Sequence, residues 1–164
     1  MSNFLLTVFL IVLFTNCSAQ ADLPSCIKTF KASLKDIEEG KKIEFAKIDC
    51  VQWDTVLFVG LAFDREIVET KTGVSLPPEV NYDWMADGEG SKWWILFLKD
   101  KKVMARFFIN RNDLDFLKLS YALEPTNWSY FMLDRKKAIL MTYHTGEYFS
   151  VNHEKVIDVK LVEN

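Results

Sequence analysis

The sequence predicts a single α+β domain, an antiparallel sheet of about six to eight strands with one long N-terminal helix and one or two short helices. Three observations predict it. An apolar stripe at helical spacing opens the chain after residue 22. Short apolar runs bounded by turn residues then follow one another to the C-terminus. No linker or shift in composition divides them, and 164 residues suit one domain.

Composition narrows the class. Residues 1–21 carry no charged side chain, so all 20 Lys and Arg and all 23 Asp and Glu lie from Asp22 onward. Those 43 charges among 143 residues, about 30%, are ordinary for a water-facing surface. Apolar residues make up 67 of the same 143, enough for a real core. Their 20 aromatics exclude a disordered chain. A net charge of −3 leaves no basic excess to displace counterions, which argues against a nucleic-acid partner.

The first element is an export segment. Phe4–Phe14, FLLTVFLIVLF, is an 11-residue run suited to a signal peptide and well short of the roughly 20 residues that span a bilayer. Ala19-Gln20-Ala21 supplies a small-x-small cleavage site, so residues 1–21 are read as a signal peptide and 22–164 as the mature domain. Met1-Ser2-Asn3 offers only the α-amino group as positive charge. The alternative is lipidation at Cys17, which would leave a membrane-anchored protein. Asn16 just before Cys17 fits a lipoprotein site poorly, so secretion is the first reading. The mature chain is expected to have no transmembrane span. Two thiols then remain, Cys26 and Cys50, and in an oxidising compartment an even pair reads as a disulfide. Closing a loop of about 25 residues stabilises by about 3–4 kcal/mol on the chain-entropy account.

Leu23, Ile27, Phe30, Leu34 and Ile37 define the long amphipathic helix, with Pro24 and Ser25 in its first turn and Gly40 past its end. A first strand is expected over Ile43–Ile48, and the disulfide would tie the helix to the connection behind it. Thr55–Leu61, TVLFVGL, is a continuous apolar run expected at the centre of the sheet. Asp64 can cap a helix that runs to about Thr70, and Gly73 can end it. Pro77-Pro78 and Asn81–Ser91 form a long loop. Three hairpins follow: Trp93–Leu98 with Lys102–Ile109, Ser129–Leu133 with Ala138–Tyr143, and Tyr148–Val151 with Val156–Val162. Asp113 can cap a short helix over Leu114–Leu119.

Catalytic patterns are absent from this reading. NYDWMADGEG matches a calcium loop at Asp83, Asp87 and Gly88, but Met85 and Trp94 stand where oxygen ligands are required. His144 and His153 have no nucleophile elbow to serve, and no Cys-x-x-Cys joins them in a zinc set. No catalytic residue, metal or cofactor is therefore assigned. Asp54, Asp83, Asp87 and Glu89 are the acids a carboxylate-dependent hydrolase would use. Asn127-Trp128-Ser129 fits an N-glycosylation acceptor, relevant only to a eukaryotic source. Trp93 and Trp94 are adjacent in a strand, so they point to opposite faces. With Trp84 in the preceding loop they are the candidate interface, set against the alternative that they simply fill the core.

The stretch Cys50–Gly60, CVQWDTVLFVG, resembles a pattern in small exported bacterial proteins of uncharacterised function, often lipoproteins. There a Trp-Asp pair precedes an apolar strand, a loop and a short helix ending in Gly, and a later strand pair is similar to WWILFLKDKKVMARFF. The likeness covers about half of the chain. It departs at Gly60-Leu61-Ala62, where that group has Pro-Tyr. The resemblance implies a place in the bacterial envelope and supplies no activity. It leaves Trp53 to anchor the start of the strand and Asp54 to accept backbone donors or pair with a cation.

Together these readings lead to the expectation of an exported, periplasmic or envelope-associated protein that binds a protein or envelope component. Its specialised form would be an inhibitor or immunity protein, and the rival classes are a secreted hydrolase and a small-ligand carrier. The intact mass of the exported protein is expected to begin at Asp22, with Cys26 and Cys50 alkylated only after reduction. A diacylated product beginning at Cys17 would replace secretion by an envelope anchor.

Overall fold

The computed structural model describes residues 23–60, 63–81, 92–126, 129–148 and 155–162. The expected export segment with Cys17, the Leu61-Ala62 step, Asp83, Trp84, Asp87, Glu89, Asn127-Trp128 and His153 lie outside them.

Strand β2 (Thr55–Gly60), preceded by β1 (Lys42–Glu44), is buried at every position after the first. Both faces of its sheet are covered, which is why the run shows no polar alternation. β2 pairs antiparallel with β3 (Lys92–Lys99), which pairs with β4 (Lys102–Asn110). On its other side β2 pairs with β5 (Tyr130–Asp134), giving the order β4-β3-β2-β5. A second antiparallel sheet has the order β1-β6-β7, with β6 at Ile139–Tyr148 and β7 at Lys155–Leu161. Among the described residues there are three α-helices, α1 (Ser25–Ser33), α2 (Arg65–Thr72) and α3 (Leu117–Leu123).

Alternation along β2 sorts its side chains into two cores. Val56 and Phe58 join Phe97, Ile27 of α1, Leu140 of β6 and Val159 of β7, so the first core lies between the sheets and beneath α1. Leu57 and Val59 join Leu96, Leu98, Val68 of α2 and Val74, so the second core lies under α2 and the segment behind it. Each such buried Val, Leu or Phe stabilises by about 1.5–3 kcal/mol before packing effects.

Local chemistry explains the elements that match expectation. The Asp64 carboxylate accepts from the Ile67 N–H at 3.1 Å, and Gly73 closes α2 with φ +69, where a left-handed cap favours glycine. Asp100 and Lys101 both take positive φ, the geometry of a two-residue hairpin turn that matches strand twist. Cys26 and Cys50 form the expected disulfide, with their Cα atoms 6.5 Å apart, joining α1 to the segment before β2.

Five expectations are corrected. One sheet becomes two. The long N-terminal helix is nine residues, and Asp36 with φ 58 lies outside helical geometry. Leu34 still buries completely, so the apolar stripe outlasts the helix by continuing through a turn. The first strand stops at Glu44, because a 3-10 turn over Phe45–Lys47 carries Phe45 into the first core. The second and third hairpins are regrouped: β5 belongs to one sheet, while β6 pairs with both β1 and β7 in the other. The chain changes sheets at a 3-10 turn, Arg135–Lys137. Arg135 holds that crossing by donating to the Ile48 carbonyl at 2.9 Å and stacking over the Trp53 ring at 4.9 Å. Finally, α3 begins at Leu117 rather than Leu114, where the Asp115 carboxylate accepts the Leu117 N–H.

Gly60 lies opposite Trp93 in the β2–β3 ladder, and a Cβ there would overlap the Trp93 ring. Gly60→Ala is therefore expected to destabilise by about 1–3 kcal/mol through overpacking. Urea unfolding of the disulfide-intact protein checks this, and an unchanged midpoint would mean the indole can move aside.

Candidate functional site

The two adjacent tryptophans part as alternation requires. Trp93 is wholly buried in the first core, which removes it from any interface. Its indole Nε1 donates to Asp115 Oδ1 at 3.1 Å, and Asp115 Oδ2 accepts from Arg111 Nε at 2.6 Å. The same carboxylate receives the Leu117 N–H at 3.0 Å, while the Asp115 N–H donates to the Ile157 carbonyl of β7. The Arg111 and Asp115 side chains are 9% and 4% exposed, so these contacts hold the frame and face no ligand.

Trp94 faces the other way and is half-buried. Its ring meets Phe108 of β4 edge to face, with centroids 5.4 Å apart at 67°. Lys31 of α1 places its ammonium 4.3 Å from the Phe108 centroid, and Lys92 places its own at 5.2 Å. Arg106 pairs with Glu79 beside them. Trp94, Phe108, Lys31, Arg106 and Glu79, with Leu23, Pro24 and Met104, line an open groove of about 320 Å³. Met104 is 48% exposed, because an irregularity in the β3–β4 register leaves it without a partner across the ladder. Burial pushes the Lys31 pKa down, the Lys35 charge adds to this, and Asp113 opposes it.

A second open groove of about 610 Å³ runs between α3 and strands β6 and β7, past Leu119, Tyr143 and Val159. Neither groove is the enclosed apolar cavity that suits a small-ligand carrier. Among the described residues no three His, Cys, Asp or Glu side chains converge as a metal set, and no helix is long and apolar enough to cross a membrane. His144 lies in β6 opposite Ile157.

Asp54 sits just before β2 and secures the β3–β4 turn. Its Oδ2 accepts from the Asp100 N–H and from Lys99 Nζ, both at 3.2 Å. The Asp100 N–H holds the Asp54 carboxyl below the usual carboxylate range; desolvation opposes it, and Lys99 and Thr55 reinforce it. The general acid of a carboxylate-dependent hydrolase needs the opposite shift.

Of the three candidate interface residues, Trp94 is half-buried, Trp93 is wholly buried and Trp84 lies outside the described residues. Phe108, Lys31, Arg106 and Glu79 were not singled out by sequence, because α1, β4 and the segment after α2 meet only in the fold. Comparison with family models, curated proteins and solved structures finds no match.

Because its folded pKa is depressed, Asp54 contributes stability above its unfolded pKa of about 3.9, and that contribution is lost as pH falls through the lower folded value. Asp54→Asn is thus expected to lower stability at neutral pH, with the gap from the parent protein closing in stronger acid. Unfolding titrations at neutral pH and in an acid series check the sign. A gap that widens on acidification contradicts it.

Proposed function

We propose that the protein is an exported, envelope-associated binding module that engages a protein or envelope component through the Trp94–Phe108 groove. The observation that carries this reading is the edge-to-face aromatic pair lying in an open groove with cations over it. Aromatic side chains and arginine are enriched among the few residues that supply most of the energy of protein interfaces. The Cys26–Cys50 bond is compatible with an oxidising compartment outside the cytoplasm. Asp54, the one described acid of the hydrolase set, is committed to a turn and held ionised, which favours binding over acid catalysis.

A photo-crosslinking amino acid at Met104 tests this in the full chain expressed in its own cells. A discrete adduct is expected from Met104, lost on adding Trp94→Ala, and absent from the same probe at Ile67 or Met132. Those two control sites are 44% and 37% exposed and lie away from the groove. Equal labelling from all three positions, or no adduct from Met104, overturns the reading.

A further inference from the structure

We infer that the groove receives an acidic, extended segment of a partner protein, which adds as a fifth strand to the outer edge of β4. This rests on the groove being the contact surface and adds the partner's chemistry and its mode of attachment.

β4 is the terminal strand in the order β4-β3-β2-β5, and Ala105–Asn110 pairs without interruption with Lys92–Phe97. Alternate residues of such a strand aim their N–H and C=O away from the neighbour. Among the described residues no backbone group pairs with the outer side of Ala105–Ile109. The groove takes lining from both faces of this strand: Ala105 and Phe107 from the first-core face, Arg106 and Phe108 from the other. Lining drawn from both faces means that the strand's edge is the floor. A peptide lying there would meet main-chain donors and acceptors along its length, and its side chains would alternate between the Leu23-Pro24 wall and the Trp94 wall.

Charge selects the occupant. The whole chain carries −3, yet Lys31 and Arg106 stand at this edge. Lys31 springs from α1 on one side of β4 and ends over Phe108 on the other, so its side chain crosses the edge. The acids in reach are Glu79, which pairs with Arg106, and Asp113, which faces Lys31. An ammonium partly stripped of water gains most from a carboxylate brought to it. The same lysine repels a second copy of this basic edge, one of the ways proteins keep open strands from pairing at random. An acidic strand satisfies both the backbone and the cations.

The test uses the mature, disulfide-intact protein and three synthetic peptides. The first alternates glutamate and valine, the second alternates lysine and valine, and the third is the glutamate peptide N-methylated at every second residue. The glutamate peptide is expected to slow amide exchange at alternate residues of Ala105–Ile109 and to shift the Trp94 resonances. The other two peptides should do neither. Lys31→Gln should weaken the glutamate peptide about tenfold, as loss of one charge-assisted bond implies, and Lys31→Glu more.

Equal binding of the N-methylated peptide, with Trp94 shifted but no amide protected, overturns strand addition while the groove reading stands. Equal binding of the lysine peptide overturns the acidic choice. Pairing of β4 with a second copy in the free protein also overturns the proposal. If no peptide binds while the Met104 adduct still forms, this inference falls and the groove reading survives. If neither is seen, both fall.

Discussion

Much of the architecture hangs on where Trp93 can put its indole. The ring lies against Gly60 of the neighbouring strand and meets Phe116 and Phe131 at 5.7 and 6.1 Å between centroids. Its one polar atom must find an acceptor once buried, and Asp115 provides it. A buried carboxylate is tolerable only when paired, so Arg111 follows four residues before it. The Asp115 main chain is then bound to β7 through Ile157. One aromatic side chain thus joins β2, β3, the start of α3 and the second sheet. Removing one partner of such a buried pair costs about 3–5 kcal/mol, well above a surface ion pair.

The inward turn of Trp93 has an unavoidable counterpart. Trp94 must face outward from the same strand, and there it finds Phe108 rather than a covering helix. α2 and the segment behind it cover Leu57, Val59, Leu96 and Leu98, while Met104 on β4 stays largely exposed. The second core therefore thins out toward one edge of the sheet. What lies at that edge is aromatic, half-buried and fringed by cations, a combination that neither packs fully nor dissolves freely.

The local elements were legible and the long-range ones were not. Asp64 and Gly73 bounded α2 because capping is decided within a few residues. The hairpin from Trp93 to Ile109 was legible for the same reason, although its turn is the two residues Asp100-Lys101 and Lys99 belongs to β3. The disulfide followed from cysteine count once the export segment had set Cys17 aside. By contrast, Asp134–Lys137 looks like any hairpin turn, yet the chain uses it to leave one sheet for the other, held by Arg135 contacts to residues more than 80 positions away. Leu34 kept helical spacing without a helix, since burial needs only the right direction. At the site, alternation separated Trp93 from Trp94, but nothing in the spacing of Lys31, Glu79 and Phe108 shows that they meet.

Edge protection and recognition are here the same physics seen from two sides. A sheet that ends in an open strand invites indiscriminate pairing, and long charged side chains across that edge suppress it. Lys31 does this over Phe108 at a cost, because its ammonium loses water and, among the described residues, Asp113 offsets that only in part. That unmet electrostatic demand is what makes the suppression selective. An apolar or basic strand would have to displace the lysine or face it, whereas a strand that brings its own carboxylate relieves it. The cation over Phe108 therefore acts as a filter on which strands can approach, and the backbone beneath supplies the attraction once one passes.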